Sequence, residues 1–144
     1  MTDRGAKRPF TKEEVERGDL PPPLDPQSAA AKAVIDFMGE YYRVWNAKDA
    51  RALATQIYRV SPERPMGTET GIQRTLDKAS AEGWAYSTLD AVDIHSWGDG
   101  WLARGFYSRF TADGEPTAHA RRLTAYVVRA FADGLRITDL PLVY

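Results

Sequence analysis

Glycine-containing turns divide the second half of the chain into four stretches of similar length. The turns are Trp97-Gly98-Asp99-Gly100, Asp113-Gly114 and Asp133-Gly134. The stretches they separate are 84–96, 101–111, 117–131 and 135–143, and each alternates apolar and polar residues as strands do. Asp-Gly is among the strongest signals for a tight hairpin, because the turn needs a residue with positive φ. Consecutive hairpins of this kind predict a four-stranded antiparallel meander.

The residues before Gly83 follow the period of a helix instead. Asp25-Pro26 is a suitable helix start, because Asp caps free N–H groups and Pro at the first turn has no N–H to satisfy. An apolar stripe then predicts a helix to about residue 47. The stripe consists of Val34, Phe37, Met38, Tyr41 and Trp45. Shorter helices are predicted from Asp49 and from Thr70, the second ending at Gly83.

The order of these elements predicts the fold class. Three N-terminal helices followed by a long-stranded meander predict an α+β domain with the helices packed on one face of a curved antiparallel sheet. Such a sheet forms a cone-shaped barrel around a pocket. The length of 144 residues fits one domain, which we place at 25–144. Residues 1–24 are charged and Pro-rich and are predicted to form an extended or disordered arm, or an arm packed on a neighbouring subunit or over the pocket mouth.

Composition excludes several classes of function. A net charge of -1 gives no electrostatic reason to expect nucleic acid or a membrane surface as a partner. The absence of cysteine excludes disulfides, thiolate nucleophiles and Cys-bound zinc. No apolar run approaches the roughly 20 residues of a membrane span, and no signal-peptide stretch stands at the N-terminus. A cytoplasmic protein is therefore expected.

The turn positions fix a provisional register, and the register fixes which side chains share a face of the sheet. The face expected to line the pocket carries Asp90, Trp101, Tyr107, Arg109, Arg122, Tyr126, Ile137 and Asp139. The opposite face carries an apolar strip with charges among it: Leu102, Phe106, Leu123, Ala125, Val127 and Arg129. Because such a strip suits contact between two sheets, we expect a homodimer.

Two local motifs point to a known fold. The first predicted helix ends in Tyr41-Tyr42-Arg43-Val44-Trp45-Asn46-Ala47-Lys48-Asp49, and the last hairpin reads Val128-Arg129-Ala130-Phe131-Ala132-Asp133-Gly134-Leu135-Arg136-Ile137. In order, spacing and distance from the C-terminus these resemble the nuclear transport factor 2-like (NTF2-like) superfamily, in its SnoaL-like and ketosteroid-isomerase-like branch. The resemblance covers about residues 29–144. It implies the cone-shaped α+β barrel and cofactor-independent chemistry in a hydrophobic pocket.

The resemblance also implies roles for some residues and removes one. Tyr41 falls where ketosteroid isomerase has its oxyanion-binding tyrosine, and Tyr126 falls where the isomerase has its protonated aspartate. The isomerase base should stand just before Pro65-Met66-Gly67, where this chain has Arg64 with Glu63 beside it. The isomerase base is therefore absent, and the family's catalytic residues do not transfer as a set.

The residues themselves suggest acid–base chemistry without a metal. No zinc motif, P-loop, nucleophile elbow or Rossmann glycine pattern is present, and the two histidines, His95 and His119, are predicted to face away from the pocket. Asp139 is the candidate proton carrier, since burial among apolar neighbours would raise its pKa. The alternative for Asp139 is a salt bridge to Arg122 or Arg109. Tyr41 and Tyr126 are candidate hydrogen-bond donors to an oxyanion, or else ordinary core residues.

The predicted partner is a small hydrophobic or aromatic molecule. The candidate substrate-binding residues are Arg64, Trp45, Asp90, Trp101, Tyr107 and Arg122. The preferred function is a cofactor-free lyase, dehydratase or isomerase. The alternatives are a non-catalytic ligand-binding or assembly module of the same fold, a polyketide cyclase, or an epoxide hydrolase with Asp90, Arg122 and Asp139 as a loose candidate cluster.

Overall fold

The computed structural model describes residues 20–60, 67–118 and 121–143. The helical part begins with α1 (Ala29–Asn46), continues with α2 (Ala50–Ala52), which runs into a π-helical turn (Leu53–Ile57), and ends with α3 (Glu69–Ala81). The strands are β1 (Tyr86–Trp97), β2 (Gly100–Phe110), β3 (Arg122–Phe131) and β4 (Gly134–Val143). They form one antiparallel sheet in the order β1-β2-β3-β4. The predicted α+β fold, with helices packed on a four-stranded meander, is confirmed.

The starts of two helices lie a few residues from their predicted positions. Ser28 caps α1 in place of Asp25, and Thr68 caps α3 in place of Thr70. In both cases the side-chain oxygen accepts the backbone N–H three residues later, which satisfies a donor that the first helical turn leaves free. Several capping residues stand close together at both places, so composition alone could not choose among them.

The Asn-Ala-Lys-Asp motif joins the end of α1 to the start of the sheet. The side chain of Asn46 accepts the N–H of Ser87 at 2.8 Å and donates to the Ser87 carbonyl at 2.9 Å. Asp49 then caps α2 by accepting the N–H of Ala52 at 3.0 Å. Lys48, with φ of 59°, makes the reversal between the two helices. The motif on which the family resemblance rests therefore has a structural role, because its side chains form hydrogen bonds with backbone groups.

Part of the segment predicted as an arm lies along β1. The N–H of Leu24 donates to the carbonyl of Ile94 at 2.7 Å, and Pro23 forms a bridge with His95. The ring of His95 contacts the carbonyl oxygen of Pro21 through Nδ1 at 2.7 Å. Residues 20–24 are thus an addition to the edge of the sheet, while 1–19 fall outside the described residues.

Three register irregularities change the pairing that the turns predicted, one in β1 and two in β4, and the first in each strand moves a predicted site residue. In β1, Leu89 pairs with Tyr107 but Ala91 pairs with Phe106, so Asp90 is an extra residue. In β4, one extra residue stands where Ile137 pairs with Val128 and Asp139 pairs with Val127. A single inserted residue moves the side chains beyond it to the other face.

One glycine in β2 is required by the bulge in β1. A Cβ atom on Gly105 would lie 2.5 Å from the carbonyl oxygen of Ala91, a distance that real side chains do not adopt. The close approach of the two strands therefore needs a residue without a side chain at this position.

Two groups of buried apolar residues lie on opposite faces of the sheet. The inner cluster, between the helices and the sheet, includes Val34, Met38, Leu53, Ile72, Ile94, Val128 and Ile137. The outer cluster consists of Trp97, Leu102, Ala125 and Val127, with Leu20 and Leu123 packed against it. The apolar strip that predicted a dimer contact is thus buried within a single chain at its centre.

Candidate functional site: a buried phenol cluster

Three tyrosine hydroxyls from separate elements meet on the inner face of the sheet. The hydroxyl of Tyr41, on α1, lies 2.8 Å from that of Tyr126, on β3. Tyr58, which follows the π-helical turn, donates to the Tyr41 hydroxyl at 3.3 Å. All three side chains are buried. We refer to Tyr41, Tyr58 and Tyr126, together with the neighbouring Tyr42, as the phenol cluster.

The π-helical turn is what delivers Tyr58 to this position. The N–H of Tyr58 bonds to the carbonyl of Leu53 at 2.8 Å and so closes the wider turn of a π-helix. Tyr58 itself has extended backbone and forms a bridge with Ile137 of β4. Single π turns are rare and occur often at functional sites. Sequence reasoning placed Tyr58 in a shorter helix and did not identify it as a site residue.

Burial keeps these phenols neutral even above the pH at which an exposed tyrosine loses its proton. Burial raises the pKa of Tyr41 and of Tyr42 well above the ordinary value of 10.0, and the neighbouring hydroxyl of Tyr126 adds to both effects. Burial also raises the pKa of Tyr58, and it raises that of Tyr126 against the opposing effect of adjacent hydroxyls. The cluster can therefore donate hydrogen bonds to an oxygen atom, but it cannot supply a base.

Several buried polar atoms around the cluster have no hydrogen-bond partner of normal geometry among the described residues. They are the hydroxyl of Tyr42, Nε1 of Trp45 and the hydroxyl of Thr124. Tyr42 packs edge-on against Tyr41, with ring centres 4.9 Å apart, and the Trp45 ring lies 6.2 Å from that of Tyr41. Such unpaired polar atoms are uncommon in native interiors, and each calls for a reason.

The predicted aromatic lining residues lie on the inner face beside the phenols. The ring of Tyr107 lies 6.4 Å from that of Tyr42, and Trp101 packs against the inner cluster. Tyr107 pairs directly with Arg122 across β2 and β3, which places Arg122 on the same face. Arg109, two residues beyond Tyr107, shares that face, and its guanidinium carbon lies 5.8 Å from the centre of the Tyr107 ring. Sequence analysis did not select Arg109 as a site residue.

The predicted position of Asp139 on the inner face is wrong. Because of the bulge in β4, Asp139 pairs with Val127 and accepts a hydrogen bond from Nη1 of Arg129 at 3.2 Å on the outer face. Arg129 also binds Asp99 at 2.8 Å. The salt bridge expected with Arg122 or Arg109 is thus replaced by one with Arg129, and Asp139 does not contact the phenols.

Asp90 is also on the outer face, contrary to the predicted register. As the extra residue of the β1 bulge, it accepts hydrogen bonds from the hydroxyls of Thr88 at 2.7 Å and Ser108 at 2.5 Å. Asp90 and Asp139 therefore do not join Arg122, so the loose cluster considered for epoxide hydrolysis does not form. Both errors have the same cause, which is an inserted residue that no turn signal announces.

The remaining predicted residues divide between described and undescribed segments. Arg64, Glu63 and His119 lie outside the described residues. His95 faces away from the phenol cluster, as expected, and is buried beside the 20–24 segment. Within 20–60, 67–118 and 121–143, no group of three or more His, Asp or Glu side chains is arranged to hold a metal ion. In the same part of the chain, no helix is both long and apolar enough to cross a membrane.

Comparison with known proteins identifies the fold. An NTF2-like superfamily protein from Salmonella enterica subsp. enterica serovar Typhimurium str. LT2 superposes with a TM-score of 0.54 at 20% sequence identity, over 74% of this chain and 84% of that one. The fold is NTF2-like. TsrD from Streptomyces laurentii has a TM-score of 0.46 at 18% identity, over 82% of this chain and 90% of its own. No protein-family model and no curated protein matches the sequence.

This fold serves both enzymes and non-enzymes, so the fold itself assigns no activity. At such low identity the likeness extends to the architecture alone. Function has to be argued from the side chains on the inner face.

Proposed function

We propose that this protein binds a small, largely hydrophobic molecule that carries a carbonyl or hydroxyl oxygen, and that the phenol cluster donates hydrogen bonds to this oxygen. The observation that carries the proposal is the buried Tyr41–Tyr126 hydroxyl pair, 2.8 Å apart, with the hydroxyl of Tyr42 beside it. The Tyr42 hydroxyl interacts with Tyr126 but makes no hydrogen bond of normal geometry with the described residues. The apolar residues around the pair supply the hydrophobic surface that small-molecule sites require.

Burial gives these hydroxyls their value as ligand contacts. A buried polar group left without a partner costs about 1–3 kcal/mol, so a ligand oxygen that accepts from Tyr42 recovers free energy that the unliganded protein lacks. Away from water, a hydrogen bond from a phenol is also stronger than at the surface. Because the pKa values of Tyr41 and Tyr42 are raised, both remain donors across the physiological pH range.

A cofactor-free lyase, dehydratase or isomerase of the SnoaL-like and ketosteroid-isomerase-like branch is the second candidate. Neutral buried phenols are the donors that such an enzyme uses to stabilise a developing oxyanion, and this favours it. Turnover also needs a base. Among the described residues, no carboxylate or imidazole contributes to the pKa shifts of the phenol cluster. Binding is therefore the first proposal, and catalysis depends on a base from elsewhere, such as Glu63.

The test compares two molecules of similar shape, acetophenone and ethylbenzene, by chemical-shift titration of the labelled protein. Acetophenone should bind about tenfold more tightly, which is the effect of one hydrogen bond of about 1.4 kcal/mol. Tyr42→Phe should reduce that preference, whereas Tyr86→Phe, on the exposed side of β1, serves as the matched control. Equal affinities for the two molecules, or no binding of either, would contradict the proposal.

The same sample separates binding from catalysis. In D₂O, an enzyme with a base beside the phenols would exchange the methyl protons of acetophenone, because the phenols stabilise the enolate. If the methyl proton signal of acetophenone disappears faster with the protein than in buffer alone, the result favours an enzyme. Binding without exchange would favour the binding protein.

The homodimer remains a proposal with weaker support. It was expected from an apolar outer face, whose central residues Trp97 and Leu102 are 2% and 0% exposed in the single chain. Phe131 and Tyr86, at 38% and 36% exposure, are the large hydrophobic side chains that remain exposed within the described residues. Light scattering at increasing protein concentration measures the mass directly, and a monomer at all concentrations would contradict it.

A further inference from the structure

The inner face carries a positive charge for which the described part of the chain supplies no acidic partner. Arg109 lies on β2, paired with Ser87 of β1, and its side chain is half-buried over the ring of Tyr107. No ion pair of Arg109 is found among residues 20–60, 67–118 and 121–143. The carboxylate that the simple register would have placed near it, Asp90, is turned to the outer face by the bulge.

Other arginines of the sheet contrast with Arg109. Several have a carboxylate within 4.0 Å: Arg129 with Asp99 and Asp139, Arg104 with Asp93, and Arg136 with Asp133. Arg51 and Arg74 lie on helices and are exposed to water, which solvates their charges. A half-buried guanidinium has neither full hydration nor, in this case, a described counter-charge, and this favours an anion beside it.

Arg109 acts on the same tyrosines that form the proposed binding site. Burial raises the pKa of Tyr107 and of Tyr126, and the positive charge of Arg109 opposes both effects. Arg122, paired directly with Tyr107, opposes the shift of Tyr107 as well. Both guanidinium groups thus lie near Tyr107, whose ring is 6.4 Å from that of Tyr42 in the phenol cluster.

We propose that Arg109, assisted by Arg122, binds a carboxylate on the ligand while the phenol cluster binds an oxygen at the ligand's opposite end. This rests on the proposed function and narrows its ligand to small hydrophobic acids. A guanidinium offers two parallel N–H donors that match a carboxylate, which makes arginine the usual choice for such a contact. One ligand can make both contacts because the tyrosines and the arginines lie on the same face of the sheet.

The spacing along β3 suits a ligand built on one ring. Arg122 and Tyr126 are separated by about 13 Å between Cα atoms, since a strand rises about 3.3 Å per residue. Both side chains lie on the same face of β3, so a ligand that contacts both must span part of this distance along that face. A benzene ring with polar groups in para positions is therefore a suitable probe.

The experiment compares 4-acetylbenzoate with 4-acetylbenzamide at pH 7 by calorimetry or chemical-shift titration. Both carry the ketone for the phenols, and only the benzoate carries a negative charge. The benzoate should bind at least about tenfold more tightly to the wild-type protein. Arg109→Gln should reduce this preference to less than about threefold, because the loss of affinity is larger for the charged benzoate than for the neutral benzamide. Arg109→Lys should keep part of it, because the charge remains but the paired donors are lost.

Arg74→Gln, on the exposed surface of α3, is the matched control and should leave both affinities unchanged. Equal binding of the two probes to the wild-type protein, or a preference that survives Arg109→Gln, would overturn the carboxylate site and leave the proposed function standing. Failure of both probes to bind would overturn the proposed function and this inference together.

Discussion

The two faces of the sheet treat their polar groups in opposite ways. On the outer face, Asp139 and Asp99 are bound by Arg129, and Asp90 is bound by two hydroxyls. On the inner face, Arg109 has no described acidic partner, and the hydroxyl of Tyr42 makes no hydrogen bond of normal geometry with the described residues. The outer face also has such an atom, Nε2 of His95, but its carboxylates are all bound. Groups that are already paired contribute to stability. Groups that are buried and unpaired are those a ligand can still satisfy, and this difference directs the search for function to the inner face.

Two inserted residues create that difference. Without the bulges, alternation along β1 and β4 would bring Asp90 and Asp139 to the inner face, close to the phenols and arginines. Their carboxylates would then neutralise the arginines or act as bases. With the bulges, the acids lie outside and the neutral donors and positive charge lie inside.

The largest expected effect tests whether both faces are truly interior. Leu102→Ala on the outer face and Ile137→Ala on the inner face should each lower the free energy of unfolding by about 2–5 kcal/mol, because each leaves a cavity where a side chain is 0% exposed. Urea denaturation measures both. A loss below about 1 kcal/mol for Leu102→Ala alone would mean that the outer cluster is exposed to solvent. The two faces would then differ in burial as well as in the pairing of their polar groups.

A second test uses the raised pKa values of the phenols. Tyrosines in the unfolded chain lose their protons near pH 10, whereas burial raises the pKa of Tyr58 and Tyr41 above this in the folded protein. Stability is therefore complete below about pH 10 and falls as the pH rises above it, by about 1.4 kcal/mol per pH unit for each such tyrosine.

Tyr58→Phe should make this alkaline decline shallower by about 1.4 kcal/mol per pH unit and leave the Tyr41–Tyr126 bond in place. Denaturant melts at pH 9 to 11 measure the slope. Val128→Ala, which destabilises the same core without removing a hydroxyl, is the control and should keep the wild-type slope. An unchanged slope in Tyr58→Phe would show that this phenol is not held neutral by burial.

The smallest effect concerns the outer face. Asp139→Asn removes one charge from a partly buried pair with Arg129, which keeps its contact with Asp99, so the loss of stability should be about 1 kcal/mol. The affinity for acetophenone should not change, since Asp139 lies across the sheet from the phenols. A loss of affinity or of any turnover in this variant would restore Asp139 to the site and break the distinction between the two faces.

The order of elements and the meander followed from the sequence because hairpin turns and helical stripes are local signals. Tyr41 and Tyr126 could likewise be placed together, since one lies on the apolar stripe of α1 and the other near the centre of a strand. Asp90 and Asp139 could not be placed, because a bulge is set by packing between strands and has no dedicated residue. Gly105, on the neighbouring strand β2, is required by the bulge in β1, but this can be recognised only once the pairing of the two strands is known.

Tyr58 and Arg109 were missed for different reasons. A π turn differs from an α turn by one residue, and the apolar spacing around Leu53 and Ile57 fits either. The sequence therefore did not determine which way the Tyr58 side chain points. Arg109 was noted on the correct face but only as a possible partner for Asp139. Once that carboxylate is known to bind Arg129, Arg109 becomes a candidate of its own.

The segment at residues 20–24 has a consequence for how these molecules behave in concentrated solution. An edge strand exposes unpaired backbone groups on which another chain can build, and this is a common start for fibrils. Here the backbone N–H of Leu24 donates to the Ile94 carbonyl of β1. On the far edge, the backbone N–H of Arg59 donates to the Ile137 carbonyl of β4 at 2.8 Å. Pro21, Pro22 and Pro23 have no N–H to offer a further strand. Near Ile94 and His95, the edge of β1 is thus covered by a segment that cannot donate to a further strand, which hinders edge-to-edge association at this end of the sheet.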